Sequence, residues 1–160
     1  MNPWRSIDTV LDFAIENEAA SAAFYSSLAG EVTSESLQAV LLDLVEEELG
    51  HKRALEAIRR EPRLKTKARE GFALEKEDYL VDLADLVEEA NSPEVNMGQL
   101  LVVAVAKEKA AYRLYRDLAE QVDDRSIRQL FLRLAQEEAR HSRQFQTKLG
   151  GRLRQTTNKG

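Results

Sequence analysis

An internal repeat limits the folds open to this chain more than any other feature. Residues 10–55 align with residues 100–145 at a fixed offset of 90, without gaps. The matched pairs include Ala14/Ala104, Glu18/Glu108, Tyr25/Tyr115, Leu28/Leu118, Leu44/Leu134, Glu47/Glu137, Glu48/Glu138 and His51/His141. Self-similarity on this scale means one supersecondary unit used twice. Whatever the first half folds into, the second must repeat.

Each half reads as two helices. From about Ile7 to Gly30 the residues Leu11, Ala14, Glu18, Ala22, Tyr25 and Ala29 recur at three and four positions, one stripe along a helix with a carboxylate in its middle. Leu101, Ala104, Glu108, Ala111, Tyr115 and Leu118 repeat it. The second helix of each half carries Leu37, Leu41, Leu44, Glu48, His51 and Leu55, then Ile127, Leu130, Leu134, Glu138, His141 and Phe145. Ser6 and Asn96 are candidate N-caps at equivalent positions, and Asn96 with Gln99 has capping-box spacing. Pro62 and the Gly150-Gly151 pair are the expected helix stops. The turns near Glu31–Ser34 and Gln121–Asp124 are short, so each half should be an antiparallel hairpin.

The expected organisation is an all-α, single ferritin-like domain over 1–160: repeats 6–60 and 96–150, a long crossover 61–95, and a mobile tail 152–160. Leu80, Leu83 and Leu86 or Val87 predict a short amphipathic helix within the crossover, and Asn91-Ser92-Pro93 a break before the third long helix. Four long helices joined by one long crossover is the architecture of ferritin-like bundles. Trp4 is expected to be a hydrophobic anchor. Leu100–Ala106, LLVVAVA, is apolar on every side of its helix, which calls for cover by a second subunit in a homodimer or by the crossover.

Composition excludes several function classes. The formal charge of -5 disfavours a nucleic-acid partner. No cysteine is present, which removes disulfides, thiolate metal sites and a cysteine nucleophile. The apolar run 100–106 is far below the roughly 20 residues of a membrane span, and the N-terminus MNPWRSIDTV lacks a secretory apolar core, so a cytoplasmic location without a membrane partner is expected. Glycine-rich phosphate loops, G-x-S-x-G and H-E-x-x-H are all missing.

The two histidines then stand out, because both follow a glutamate by three residues, in EEELGH at 46–51 and QEEARH at 136–141. Three residues turn a helix by about 300°, so Glu48 and His51 face one way, as do Glu138 and His141. Glu18 lies about 13 residues from the hairpin turn, roughly 20 Å, and Glu48 about as far along the returning helix, so they meet at one level. Pseudo-twofold packing of the halves would gather four carboxylates and two imidazoles in an apolar interior. Buried ionised carboxylates without compensation cost several kcal/mol each. Two divalent cations would balance the four charges, and mixed oxygen and imidazole donors suit iron, manganese or zinc. Glu47 and Glu137 neighbour the inward stripe without lying on it, and are expected to be solvated or to support the ligands from outside.

The motifs ENEAASAAFY at 16–25, EEELGH, KEKAAYRLY at 107–115 and QEEARH resemble those of the ferritin-like di-iron carboxylate proteins, and within them the rubrerythrin-like branch, over residues 7–149. The resemblance implies two iron ions, with Glu48 and Glu138 bridging, Glu18 and Glu108 as terminal carboxylates, and His51 and His141 as terminal nitrogens. It implies Tyr25 and Tyr115 as supporting catalytic residues outside the ligand set. Full-length peroxidases of that family add a four-cysteine rubredoxin-type module, which a cysteine-free chain lacks, so a separate electron-donor protein is expected. Some members carry a further glutamate three residues after the third-helix ligand, where this chain has Ala111. The expected activity is an oxidoreductase reducing peroxide or dioxygen. A ferroxidase or iron-handling protein without steady turnover is the second possibility, and a helical module with a purely structural metal the third.

Overall fold

The structure, a computed structural model, describes residues 3–61, 72–81 and 97–157. Four long helices dominate these residues: α1 (Ile7–Glu31), α2 (Glu35–Arg59), α3 (Met97–Glu120) and α4 (Arg125–Thr157). The repeat is therefore helical in both copies. A 3₁₀ turn, Lys76–Tyr79, precedes α3. The described residues form two compact units, one of 3–61 and 72–75 with 120–129 and one of 76–81 and 97–119 with 130–157.

In the first unit, α1 and α2 run antiparallel across the three residues Val32 to Ser34. Near the turn, the Gln38 side chain donates to the Ala29 carbonyl at 3.0 Å. At the opposite end Arg59 reaches Asp12 at 2.9 Å and Asp8 at 3.4 Å. Contacts at both ends fix the register of the pair. Between them Val10, Leu11, Ala14, Tyr25 and Leu28 of α1 and Leu41, Leu44 and Leu55 of α2 are buried, each large side chain contributing about 1.5 to 3 kcal/mol. The Ser34 hydroxyl accepts from Leu37 N–H at 3.3 Å and caps α2. Ser6 occupies the N-cap position of α1 as expected, but its side chain makes no capping bond.

Trp4 is an anchor in two senses. Its ring packs on Phe13 with centroids 4.8 Å apart. Its backbone also exchanges two hydrogen bonds with Leu74, at 2.7 and 3.0 Å, an isolated antiparallel bridge that ties the start of the chain to the crossover.

In the second unit α3 and α4 bury Leu101, Ala104, Leu114, Tyr115, Leu118, Phe131, Leu134 and Phe145. The start of α4 is capped by Asp124, whose Oδ1 accepts from Ile127 N–H at 3.0 Å. Tyr79 of the 3₁₀ turn donates to the Asp117 carboxylate at 2.7 Å, and Arg113 donates to the Asp78 carbonyl at 3.4 Å. Two bonds thus strap this part of the crossover to α3.

Helix α4 corrects one expectation. It passes through Gly150-Gly151 without stopping, and residues read from the sequence as a tail are helical as far as Thr157. Glycine costs a helix about 1 kcal/mol relative to alanine, but it ends one only where the chain takes up a capping turn. Here Arg152 to Gln155 are good helix formers and no proline follows. Of the expected crossover helix, Leu80 is described and is not helical, while Leu83, Leu86 and Val87 lie outside the described residues, as do Pro62, the Asn91-Ser92-Pro93 break and the Asn96 cap. In the apolar run, Leu101, Val103 and Ala104 are buried while Val102 is 41% exposed. Among the described residues, no helix is long and apolar enough to cross a membrane.

Candidate metal centre

A carboxylate in the middle of an apolar helix stripe has no choice of environment, because the stripe that drives the helix into the core carries it along. Glu18 and Glu108 occupy that place on α1 and α3, at 3% and 1% exposure. On α2 and α4 the i, i+3 spacing puts Glu48 beside His51 and Glu138 beside His141. These four are equally deep, none more than 5% exposed. All six residues singled out in the sequence are therefore buried, three in each unit.

Within each hairpin the three groups converge. His51 Nδ1 lies 3.7 Å from a Glu18 oxygen and 3.7 Å from a Glu48 oxygen. His141 Nδ1 lies 3.5 Å from Glu108 and 3.7 Å from Glu138. Glu18, Glu48 and His51 each offer a ligand atom within 4.8 Å of the others, and so do Glu108, Glu138 and His141.

The separations discriminate between two kinds of site. An imidazolium bonded to a carboxylate sits at about 2.7 to 2.9 Å, and 3.5 to 3.7 Å is beyond hydrogen-bonding range. Ligand atoms each about 2.1 Å from one cation, by contrast, lie about 3.0 to 4.2 Å apart, depending on the angle at the ion. The triads have the spacing of ligands that share an ion. Their chemistry agrees, since carboxylate with imidazole is a donor set for iron, manganese or zinc.

The surroundings divide as the helix geometry requires. Tyr25 and Tyr115, two turns along from Glu18 and Glu108, are fully buried, and the Tyr25 ring meets Phe24 edge-on at 5.5 Å. Glu47 and Glu137 are partly exposed, at the edge of the inward face. Two buried hydroxyls, Ser21 and Ser142, were not singled out in the sequence. Ser21 follows Glu18 by three residues on the same face, so the stripe did contain the signal. Its counterpart in the second hairpin is Ala111, also buried, so position 111 points into the interior one turn from Glu108.

Comparison with known proteins bears on the chain as a whole. The chain resembles a crystal structure from Thermotoga maritima described as that of a "putative ferritin-like diiron-carboxylate protein", with a TM-score of 0.71 and 17% identity, covering 92% of this chain and 95% of that one. At that identity the likeness establishes the fold, which is ferritin-like and all-α. No curated protein matches the sequence. The Rubrerythrin family model matches residues 9–148, a span that holds both hairpins and all six buried ligand candidates. With its buried Glu/His triads and its ferritin-like helices, the chain belongs to the rubrerythrin family.

Proposed function

We propose that this protein is a binuclear iron oxidoreductase that reduces peroxide or dioxygen. The observation that carries the reading is the spacing within each triad, a buried imidazole nitrogen 3.5 to 3.7 Å from two buried carboxylate oxygens. In this reading the two triads together hold a pair of ions. Glu48 and Glu138 would be shared by both ions, Glu18 with His51 would complete one ligand set, and Glu108 with His141 the other. Four carboxylates against two divalent cations leave the buried site neutral, which removes a desolvation cost of several kcal/mol per uncompensated charge. Iron, when bound there, supplies the reducing electrons.

The chain's own residues have defined tasks in this account. The carboxylates keep the site's charge balanced, and the imidazoles give each ion a neutral donor. Leu11, Leu44, Leu114 and Leu134, buried in the same helices, exclude bulk water from the surroundings. Reduction of hydrogen peroxide to two waters consumes two electrons and two protons. Tyr25 and Tyr115 are the buried hydroxyls proposed to hold a proton near the ligands. In the same proposal, a separate donor protein supplies the electrons.

One observation favours a second reading, a ferroxidase or iron-handling protein without steady turnover. Position 111 faces inward but holds alanine, so no further carboxylate is available one turn from Glu108. We also propose a homodimer, with the exposed Val102 on the face offered to a second copy; sedimentation as a concentration-independent monomer would exclude it. The functional readings separate in stopped-flow oxidation of the ferrous-loaded protein with matched peroxide and oxygen. Faster oxidation by peroxide, with turnover when a reductant is added, supports the oxidoreductase. Oxygen reacting as fast, with ferric iron accumulating, supports the ferroxidase. Under the first reading Ala111→Glu sharpens the peroxide preference.

A further inference from the structure

On the second unit, a cleft of about 420 Å³ lies between α3 and α4, and its lining runs against the charge of the whole chain. Lys109, Arg113 and Arg116 of α3 and Arg143 of α4 edge it, with Tyr112 and Gln146 between them. Among the described residues, no acidic side chain lines it. The full sequence carries a net charge of -5, so four cations around one cleft are a local reversal. Arg and Lys of one helix usually stand beside Asp or Glu three or four positions away, which neutralises them. Lys109 and Arg143 have no acidic residue three or four positions away on their helices, while Arg113 and Arg116 have Asp117 and Glu120 at i+4, neither of which is among the described residues lining the cleft.

We propose that this cleft binds a small, multiply charged anion bearing phosphate or carboxylate groups. Its volume falls within the range of small-molecule sites. Guanidinium forks from both walls, Arg113 and Arg143, match the paired oxygens of such groups, and Lys109 adds a point charge. The remaining cation is already oriented: Arg116 lies 5.5 Å over the Tyr112 ring, and its Nε is 3.6 Å from Asp117, which is itself held by Tyr79. Arg113 is steadied by the Asp78 carbonyl. Preorganised cations lose less freedom on binding. The first hairpin supplies an internal control for the α3 cations, since the positions 90 residues earlier on α1 are Ala19, Ala22, Ala23 and Ser26; on α2 only Arg53 matches Arg143, beside Lys52, which pairs with Glu56 at 3.4 Å. The cationic cleft is thus not a by-product of the repeat. It goes beyond the proposed redox chemistry and does not depend on it.

The test is calorimetric titration of the full metal-loaded chain with pyrophosphate and with tricarballylate at low ionic strength, using sulfate as a reference anion. The proposal expects binding of at least one of the two well above that of sulfate, weakening as salt is added. Pyrophosphate alone identifies a phosphate ligand, tricarballylate alone a carboxylate one. Arg113→Ala and Arg143→Ala should each weaken binding about tenfold, and Arg113→Lys should retain part of it. Unchanged circular dichroism and metal content in these variants exclude loss of fold. Affinity no greater than for sulfate overturns the proposal. So does binding that persists in the Arg113→Ala/Arg143→Ala double variant, as chelation of bound metal would. Preference for a single-stranded oligonucleotide, rising with its length, overturns the small-ligand assignment.

Discussion

Glu18, Glu48 and His51 in the first hairpin and Glu108, Glu138 and His141 in the second are alike in burial and in spacing, whereas the exposed helix faces of the two hairpins differ. In the first hairpin Arg59 is held between Asp8 and Asp12, and Lys52 pairs with Glu56. In the second, Lys109, Arg113, Arg116 and Arg143 surround an open cleft, and Asp117, which replaces Ser27 of the first hairpin, holds the 3₁₀ turn through Tyr79. The likeness and the difference have separate physical causes. A buried carboxylate or imidazole is constrained by its charge and by every neighbour, so few substitutions are tolerated. An exposed helix face is constrained mainly by solubility, and a duplicated unit is free to vary there.

The strongest way to break the comparison is to remove what the two triads are proposed to share. Chelation leaves four buried carboxylates without compensating cations, and we expect stability to fall by several kcal/mol, lowering Tm by about 5 to 15 °C. Thermal unfolding with and without metal measures this; an unchanged Tm would mean that the carboxylates are balanced by something else in the protein. Next in size are equivalent core positions. Leu44→Ala and Leu134→Ala each delete a buried side chain and should each cost about 2 to 5 kcal/mol in denaturant unfolding. Similar costs would show that the two interiors are equally tight, and a clear gap would show that one hairpin has relaxed.

The strap of the second hairpin should matter less. Burial, then the bond to Asp117, pushes the Tyr79 phenol well above its ordinary 10.0. The folded protein therefore holds this proton more tightly than the unfolded chain does. The resulting stabilisation is complete below about pH 10 and is lost as pH rises through the folded pKa. Tyr79→Phe should cost about 1 to 2 kcal/mol at neutral pH and flatten the decline above pH 10. A variant that declines as steeply as the wild type would assign the alkaline loss to another group. Smallest of all is the ion pair of the first hairpin. Arg59 stands at the surface, and an exposed pair gains little over hydration, so Arg59→Ala should leave Tm unchanged within measurement error.

Much of this molecule was legible in its sequence, for reasons that particular residues make plain. Helix existence and the six inward ligand candidates followed from 3.6-residue periodicity, and the offset of 90 supplied each observation twice. Trp4 is expected to be a hydrophobic anchor, and its ring contact with Phe13 bears that out. Its backbone bridge to Leu74 was not legible, because nothing local marks a pairing across 70 residues. Tyr79 and Asp117 were missed for the same reason. The end of α4 was misread because Gly150-Gly151 weakens a helix without dictating a turn. The cationic cleft was hidden by a different effect. In sequence, Lys109, Arg113, Arg116 and Arg143 look like an ordinary solvated face, and only the pairing of α3 with α4 puts them around one space.

The central claim is that the two hairpins jointly hold two metal ions, with Glu48 and Glu138 each shared between them. Metal content per chain, measured on protein purified without chelator, tests it most directly when the wild type is set beside Glu48→Ala and Glu138→Ala. The account predicts about two ions in the wild type, one for every two of the four buried carboxylates, and loss of both in either variant. Retention of one ion in each variant would mean that each triad binds independently, and retention of both would remove the two glutamates from the ligand set.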